Sequence, residues 1–235
     1  MKVAILGYGK MGKNIDRIAR AKGHDIVYIA NKTIDAEELK KADVAIEFSV
    51  PEAAFQNISL CLKNKIPVVS GTTGWLDHFE EAKALATSCQ SKFLYASNFS
   101  IGVNIFFKLN AILAKMMSTQ PNYNVAMEEI HHTEKKDAPS GTAITLAEQI
   151  IEETDYKSWV HPVTNEEKSI PIEAFREAGV FGTHSIMYNS AIDTISIKHE
   201  AHSREGFVQG AVIAAEWLVN HNESGTFSMD DVLKL

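Results

Sequence analysis

The sequence predicts an α/β protein: an N-terminal, Rossmann-type doubly wound parallel sheet joined to a smaller α+β domain with a mainly antiparallel sheet. Three observations carry this. From Lys2 to Ala96, short apolar runs alternate with helical patterns, as βαβ units of a parallel sheet do. The first run ends in Gly7-Tyr8-Gly9-Lys10-Met11-Gly12, a GxGxxG spelling at a strand-to-helix turn. Beyond Gly102 the texture changes to two alternating, strand-like runs that suit an antiparallel sheet with one face covered by helices.

Taken in order, Lys2 to Leu6 reads as a buried strand, and the glycine turn opens a helix through Ala21 that is capped by Gly23. The chemistry explains the glycines. Gly7 allows the tight turn, Gly9 lets a pyrophosphate approach, and Gly12 permits close helix–strand contact. A second strand, Asp25 to Ala30, ends in Asn31-Lys32 with no carboxylate before Asp35. An acidic residue there would accept from the ribose 2′-hydroxyl of NADH, whereas a cation suits the 2′-phosphate of NADPH. Lys32 therefore leans the site towards NADPH, with a solvated loop charge as the plainer reading. Val44 to Phe48 is the next strand, and Pro51 opens a helix at a favoured first position. Ile66 to Ser70 is a strand ending in Gly71-Thr72-Thr73-Gly74, and Trp75 to Ser88 is helical. Phe93 to Ala96 is a strand ending in Ser97-Asn98-Phe99-Ser100. Such loops at strand C-termini are where doubly wound sheets bind ligands, so both are expected to face the nicotinamide end of a dinucleotide.

A long helix, Val103 to Met117, and a strand, Asn124 to Ile130, lead into Glu128 to Thr142, EEIHHTEKKDAPSGT. The runs Gly179 to Tyr188 and Thr194 to His199 follow, then a last amphipathic helix, Glu205 to Asn220. The expected organisation is 1–101 for dinucleotide binding, 102–204 for substrate binding and oligomerisation, and 205–235 returning to the first domain.

The stretch around His131 carries the chemistry. Ser140 is a good N-cap for AITLAEQIIEE, with Ile144, Ala147 and Ile151 on one face. The amides of Gly141, Thr142 and Ala143 would have no intrahelical acceptor and would lie at the positive end of the helix dipole, a ready site for a carboxylate or phosphate. His131, His132 and Lys135 sit one loop upstream. A lone loop histidine is more often solvated or packed than catalytic, and Ser-Gly-Thr alone is only a helix start. The combination HHxxKxDAPSGT reads as a site for a small, doubly acidic molecule. No Cys or HExxH pattern at zinc spacing accompanies the histidines, so no metal is expected.

Composition bounds the alternatives. The chain has 235 residues, 45% hydrophobic and 23% charged, enough to bury a real core. A net charge of -7 argues against nucleic-acid or anionic-membrane partners. No run approaches a membrane span of about 18 apolar residues. Met1-Lys2 followed by VAILG is too short for a signal peptide, so Cys61 and Cys89 read as reduced cytoplasmic thiols.

Read together, GYGKMG, the FSVPEA run, GTTGW, SNFSIGVN, EIHHTEKKDAPSGTA and GVFGTHSI resemble the 4-hydroxy-tetrahydrodipicolinate (dihydrodipicolinate) reductase family over essentially the whole chain. The glycine motif is one residue shorter than the GxxGxxG spelling common there, and the acidic residue after the second strand is missing. The resemblance implies NADPH- or NADH-dependent reduction of a cyclic imine dicarboxylate in lysine and diaminopimelate synthesis, by a homotetramer built through the second domain's sheet. By resemblance His131 is the catalytic acid and Lys135 its cationic partner. His132, Ser140, Gly141 and Thr142 bind substrate. By resemblance Gly71, Thr73, Asn98 and Phe99 are cofactor-side positions; with the residues read directly from the motifs, the expected cofactor-binding set is Gly7, Tyr8, Gly9, Lys10, Met11, Gly12, Lys32, Gly71, Thr72, Thr73, Ser97, Asn98 and Phe99. An arginine often stands near Arg204 in the family, where a hinge ion pair is the other reading.

Two further readings compete. Another Rossmann oxidoreductase, acting on an amino acid or a sugar, explains the first half but not HHxxKxDAPSGT. A regulator that senses NAD(P) without turnover has no need of a proton donor.

Overall fold

The computed structural model describes residues 1–164 and 166–235. The chain divides into two compact units, 1–101 with 205–235, and 102–204.

In the first unit, β1 (Lys2–Leu6), α1 (Lys10–Ala21) and β2 (Asp25–Ala30) form the opening βαβ motif. There follow α2 (Ala36–Leu39), β3 (Val44–Glu47), α3 (Pro51–Lys63), β4 (Val68–Ser70), α4 (Phe79–Ser88) and β5 (Lys92–Tyr95). α2 is an addition to the sequence reading. Its N-cap, Asp35, accepts from the amides of Glu37 and Glu38, so the first carboxylate after β2 is spent on capping. Two boundaries also move. Residues from Trp75 are not one helix, because a 3₁₀ turn at Leu76–His78 precedes α4. β4 starts at Val68, two residues later than the apolar run suggests, with Ile66 buried ahead of it.

The second unit holds α5 (Ile101–Met117, from Gly102 onwards), β6 (Asn124–His131), α6 (Gly141–Glu153), β7 (Ser158–Val160), β8 (Ser169–Arg176), β9 (Thr183–Asn189) and β10 (Thr194–Glu200). Its five-stranded sheet runs β10-β9-β6-β8-β7. The pairings of β9 with β6 and β10 are antiparallel, as expected. Those of β8 with β6 and β7 are parallel, so the sheet is mixed. β7 and β8 were absent from the sequence reading. On α6 the buried face is Ala143, Leu146, Ala147 and Ile150, offset by one residue from the expected Ile144 and Ile151. These pack with Ile170, Ile172 and Ile186 of the sheet. Each fully buried Leu or Ile there stabilises the unit by about 1.5–3 kcal/mol relative to exposure.

The chain then returns to the first unit with α7 (Glu205–Asn220), β11 (Gly225–Phe227) and α8 (Met229–Leu233). The completed parallel sheet has the order β11-β5-β4-β3-β1-β2. β2 and β3 flank β1 on opposite sides, which makes the carboxyl ends of β1 and β3 the topological switch point where such sheets bind ligands. One face buries Ile5, Ile15, Ile46 and Leu94 against Val208, Val212 and Leu218 of α7. The fit is close: a Cβ on Gly210 would fall 1.8 Å from the Phe99 carbonyl oxygen.

Candidate functional site

At the switch point of the first unit, a cleft of about 340 Å³ is lined by Gly7, Tyr8, Gly9, Asn31, Lys32, Ser49 and Asn57, among others. Three glycines shape its entrance for different reasons. Gly7 has φ +93, and a Cβ there would meet the Phe48 carbonyl oxygen at 2.1 Å. At Gly12 a Cβ would fall 2.1 Å from the Gly7 carbonyl oxygen, so α1 lies directly on the turn. Gly9 is different, because a Cβ there would meet nothing within 4 Å. No protein atom requires glycine at that position, which is what a backbone left bare for a pyrophosphate at a helix N-terminus would look like. The residues present thus fit a dinucleotide. No described residue lining the cleft is a carboxylate, and Lys32 is its one cation. Asn31 Oδ1 accepts from the Tyr8 amide at 3.2 Å and ties the end of β2 to the glycine loop. Lys10 is exposed, while Met11 packs against the core.

The loops after β4 and β5 sit along the same sheet edge but not in the cleft wall. Gly71 owes its identity to packing, since a Cβ would strike the Phe48 ring at 2.2 Å. Thr72 is buried and its hydroxyl donates to Glu47 Oε1 at 3.0 Å. Glu47, fully buried at the end of β3, also accepts from Ser70 Oγ at 2.7 Å and from the amide and hydroxyl of Ser49. This carboxylate pins the loops after β3 and β4 together, a role the sequence did not announce. Thr73 and Ser97 are exposed, Asn98 is half-buried with Oδ1 accepting from the Ser100 amide, and Phe99 is a core residue with its ring against Phe48.

In the second unit, β6 alternates so that Val125, Met127, Glu129 and His131 share the buried face. An acid and a histidine thus stand where two more apolar residues would extend the core. Sheet register supplies the rest. Arg176 of β8 pairs with His131, and His184 of β9 pairs with Glu129. Glu129 is fully buried, accepts from the Ser140 amide at 3.0 Å and pairs with Arg176 Nη2 at 3.2 Å. Ser140 caps α6, its hydroxyl accepting from the Ala143 amide at 3.2 Å and lying 3.1 Å from His184 Nε2. That leaves the amides of Gly141 and Thr142 among the open donors of the first turn, with Gly141 exposed.

His131 is buried at the end of β6, and burial lowers its pKa below the ordinary histidine value, against an upward pull from Glu129. His184 is pushed down to about 3 by burial, so it is neutral. Lys135 Nζ donates to both carboxylate oxygens of Asp137 at 2.8 and 2.7 Å, and this bond holds the Asp137 carboxyl below its usual range. Arg204 Nη2 lies 3.1 Å from His132 Nε2. A guanidinium only donates, so His132 Nε2 is the acceptor in this contact. Arg204 thus stands beside His132.

Sequence reasoning named His131, His132, Lys135, Ser140, Gly141 and Thr142 as candidates, and the structure gathers them at one end of the sheet of the second unit. It missed Glu129, Arg176 and His184. Glu129 had a signal, an acid on the apolar face of an alternating strand. Arg176 and His184 arrive through strand pairing and had none. Glu129, His131 and His184 bring three ligand-type atoms within 4.8 Å of one another. The Glu129 carboxylate in this group also accepts from Arg176 and the Ser140 amide.

Comparison with known proteins agrees with both halves. The family described as dihydrodipicolinate reductase, N-terminus, matches residues 1–99, and dihydrodipicolinate reductase, C-terminus, matches residues 102–233. A 4-hydroxy-tetrahydrodipicolinate reductase of Christiangramia forsetii is 51% identical over 99% of this chain and 98% of its own length. One from Archaeoglobus fulgidus is 34% identical over 100% of both chains. A dipicolinate-bound dihydrodipicolinate reductase from Paenisporosarcina sp. TG-14 shares the fold, with a TM-score of 0.82 at 24% identity over 97% of each chain. The chain belongs to the dihydrodipicolinate reductase family.

Proposed function

We propose that this chain reduces 4-hydroxy-tetrahydrodipicolinate to tetrahydrodipicolinate with NADPH or NADH, in lysine and diaminopimelate biosynthesis. The single observation that carries the chemistry is the meeting of a buried histidine, a lysine and a capped helix N-terminus at the end of β6. The family membership names the substrate. Residues 1–101 with 205–235 bind the nucleotide, and residues 102–204 bind the dicarboxylate and mediate oligomerisation.

When bound, the reduced nicotinamide supplies hydride. The chain's own residues do the remainder. Gly141 and Thr142 offer amides to one carboxylate at the positive end of α6. His132, held by Arg204, stands beside the same loop. Lys135 exchanges Asp137 for the anionic substrate. His131 in its protonated form donates the proton that completes the reduction. Burial disfavours that charged form in the free protein, and a dianion in the site restores it by opposite-charge attraction. Gly7, Gly9, Gly12 and Lys32 hold the dinucleotide, with Thr73, Ser97 and Asn98 towards its nicotinamide end. Gly71, Thr72 and Phe99 support that end through packing and the Glu47 network.

The compartment is the cytoplasm, in keeping with free thiols at Cys61 and Cys89. Among the described residues no helix is long and apolar enough to cross a membrane. A homotetramer is supported by unpartnered apolar surface on the second unit. Ile105, Leu109, Ile112 and Met116, on one face of α5, are 46–65% exposed, and β10 is an open edge strand. Light scattering reads the multiple of the 26.0 kDa chain directly, and a monomer would refute it.

The experiment for the site is His131→Gln and Lys135→Ala. Turnover should fall by roughly 10²–10⁴, the range of a lost general acid, with NADPH affinity unchanged. Wild-type turnover in folded His131→Gln would end this assignment.

A further inference from the structure

Glu129 is a fully buried carboxylate with four groups turned towards it. Arg176 Nη2 is 3.2 Å from Oε1, and the Ser140 amide is 3.0 Å from Oε2. His131 Nδ1 lies 3.6 Å and His184 Nε2 3.8 Å from Oε2. His131 Nδ1 is buried and has no hydrogen-bond partner among the described residues. A buried orphan of this kind calls for an explanation, and its nearest charged acceptor is Glu129. Catalytic hydrogen bonds are often long before the substrate arrives and tighten in the complex. On the other side of the ring, a Cβ at Gly182 would lie 3.1 Å from Nε2, so the missing side chain keeps that nitrogen clear. Arg176 reaches further than Glu129. It donates to the carbonyl oxygens of Lys135 at 3.3 Å and Asp137 at 2.6 Å, so one guanidinium fastens the loop that carries Lys135 to the same carboxylate.

We propose that Glu129, held in place by Arg176, is the positioning residue of the proton donor: it binds Nδ1–H of His131, directs Nε2 to the substrate, and couples the donor to the anion cradle at Ser140. The inference rests on the function proposed above. It goes beyond it by assigning which ring nitrogen gives up the proton and what orients it. The arrangement follows the logic of an aspartate behind a catalytic histidine, where the carboxylate fixes the tautomer and stabilises the imidazolium without being protonated itself. The charged and titratable groups around His131 are Glu129 on its own strand, Arg176 on β8, His184 on β9, and His132 and Lys135 in the following loop. Of these only Glu129 favours the imidazolium; Lys135, Arg176 and His132 oppose it. Removing the Glu129 charge therefore lowers the pKa of His131. Turnover, which needs the protonated ring, should then be lost at a lower pH than in the wild type.

The test has two arms. In the first, the pH profile of kcat is measured for wild type, Glu129→Gln and Glu129→Asp, together with NADPH affinity. Glu129→Gln should lose roughly 10²-fold in turnover near pH 7, with the alkaline loss of activity displaced to lower pH. NADPH affinity should hold, and Glu129→Asp should show a smaller shift in the same direction. An unmoved profile, whether turnover is retained or lost, would mean that Glu129 is merely structural and would overturn the proposal. The second arm needs no variant and no turnover. Nitrogen-15 NMR of histidine-labelled wild-type protein should show neutral His131 protonated on Nδ1. Protonation on Nε2 would overturn the assignment even if the enzyme is active, whereas an Nδ1–H ring in a protein that fails to reduce the substrate would fault the functional reading instead.

Discussion

Gly182 faces the ring of His131 so closely that a methyl group in its place would lie 3.1 Å from Nε2 and 3.3 Å from Cδ2. Its φ of +156 adds a second reason for glycine. Gly182→Ala should therefore push the ring aside by a few tenths of an ångström. Displacing a catalytic group by 1 Å costs on the order of 10²-fold, so roughly a tenfold loss of kcat is expected, with little change in NADPH affinity. Steady-state kinetics on the folded variant decides it, and full activity would show that Nε2 needs no open approach.

The start of α6 allows a clean removal of one donor. Gly141 is the first helical residue, where proline is tolerated, and Ser140 already has φ −69 and ψ 157, the conformation a residue before proline prefers. Gly141→Pro should thus fold normally and lack one amide of the anion cradle. Affinity for dipicolinate, a stable planar dicarboxylate, should fall by roughly tenfold, the equivalent of one lost charge-assisted hydrogen bond of about 1.5 kcal/mol. Calorimetry showing undiminished binding would remove Gly141 from the carboxylate site.

Stability should depend on pH through the buried histidines. His184 has a folded-state pKa pushed down to about 3, against an unfolded value of 6.5, because burial penalises its charge. Its contribution is present in full above pH 6.5 and is lost as pH falls towards 3, since the unfolded chain binds the proton first. His131 and His199 are lowered for the same reason and act in the same direction. The thermal midpoint should decline between pH 6.5 and 5, where most carboxylates remain ionised, and His184→Gln should flatten that decline. An equal slope in the variant would show that His184 is not held neutral by the fold.

Cofactor choice turns on the end of β2. Among the described residues Lys32 is the one cation lining the cleft, and Asp35 is engaged as the cap of α2. The expected outcome is use of both cofactors with a preference for NADPH of a few-fold, because a single exposed charge contributes little. The preference should weaken as salt screens the contact. Lys32→Asp should reverse the ratio of kcat/KM for NADPH and NADH. A ratio left unmoved would mean that another residue reads the ribose.

What was legible in the sequence was what backbone geometry demands locally. Gly7 is legible through the positive φ its turn demands, Gly12 through its contact with the Gly7 carbonyl within the same βαβ turn, and Ser140 through the need to cap a helix. His131, His132 and Lys135 were legible because they stand within one short stretch upstream of that cap. β8 was hidden because Pro171 interrupts a run whose second half is largely exposed, as for a strand near a sheet edge. β7 has three half-buried residues and no alternation to read. Arg176 and His184 lie far along the chain from His131 and reach it only through the register of β8 and β9 on β6. Glu47 shows the same limit, since the hydroxyls that satisfy it come from Ser49 after β3, Ser70 at the end of β4 and Thr72 in the loop beyond it.

The central claim is that this chain reduces a cyclic imine dicarboxylate with a nicotinamide cofactor. The most direct measurement follows NADPH absorbance while the cyclic imine dicarboxylate is generated in situ. NADPH should be consumed only when all components are present, and dipicolinate should inhibit the reaction in competition with the substrate. No consumption above the rate without this protein, from a folded preparation that binds NADPH, would contradict the account.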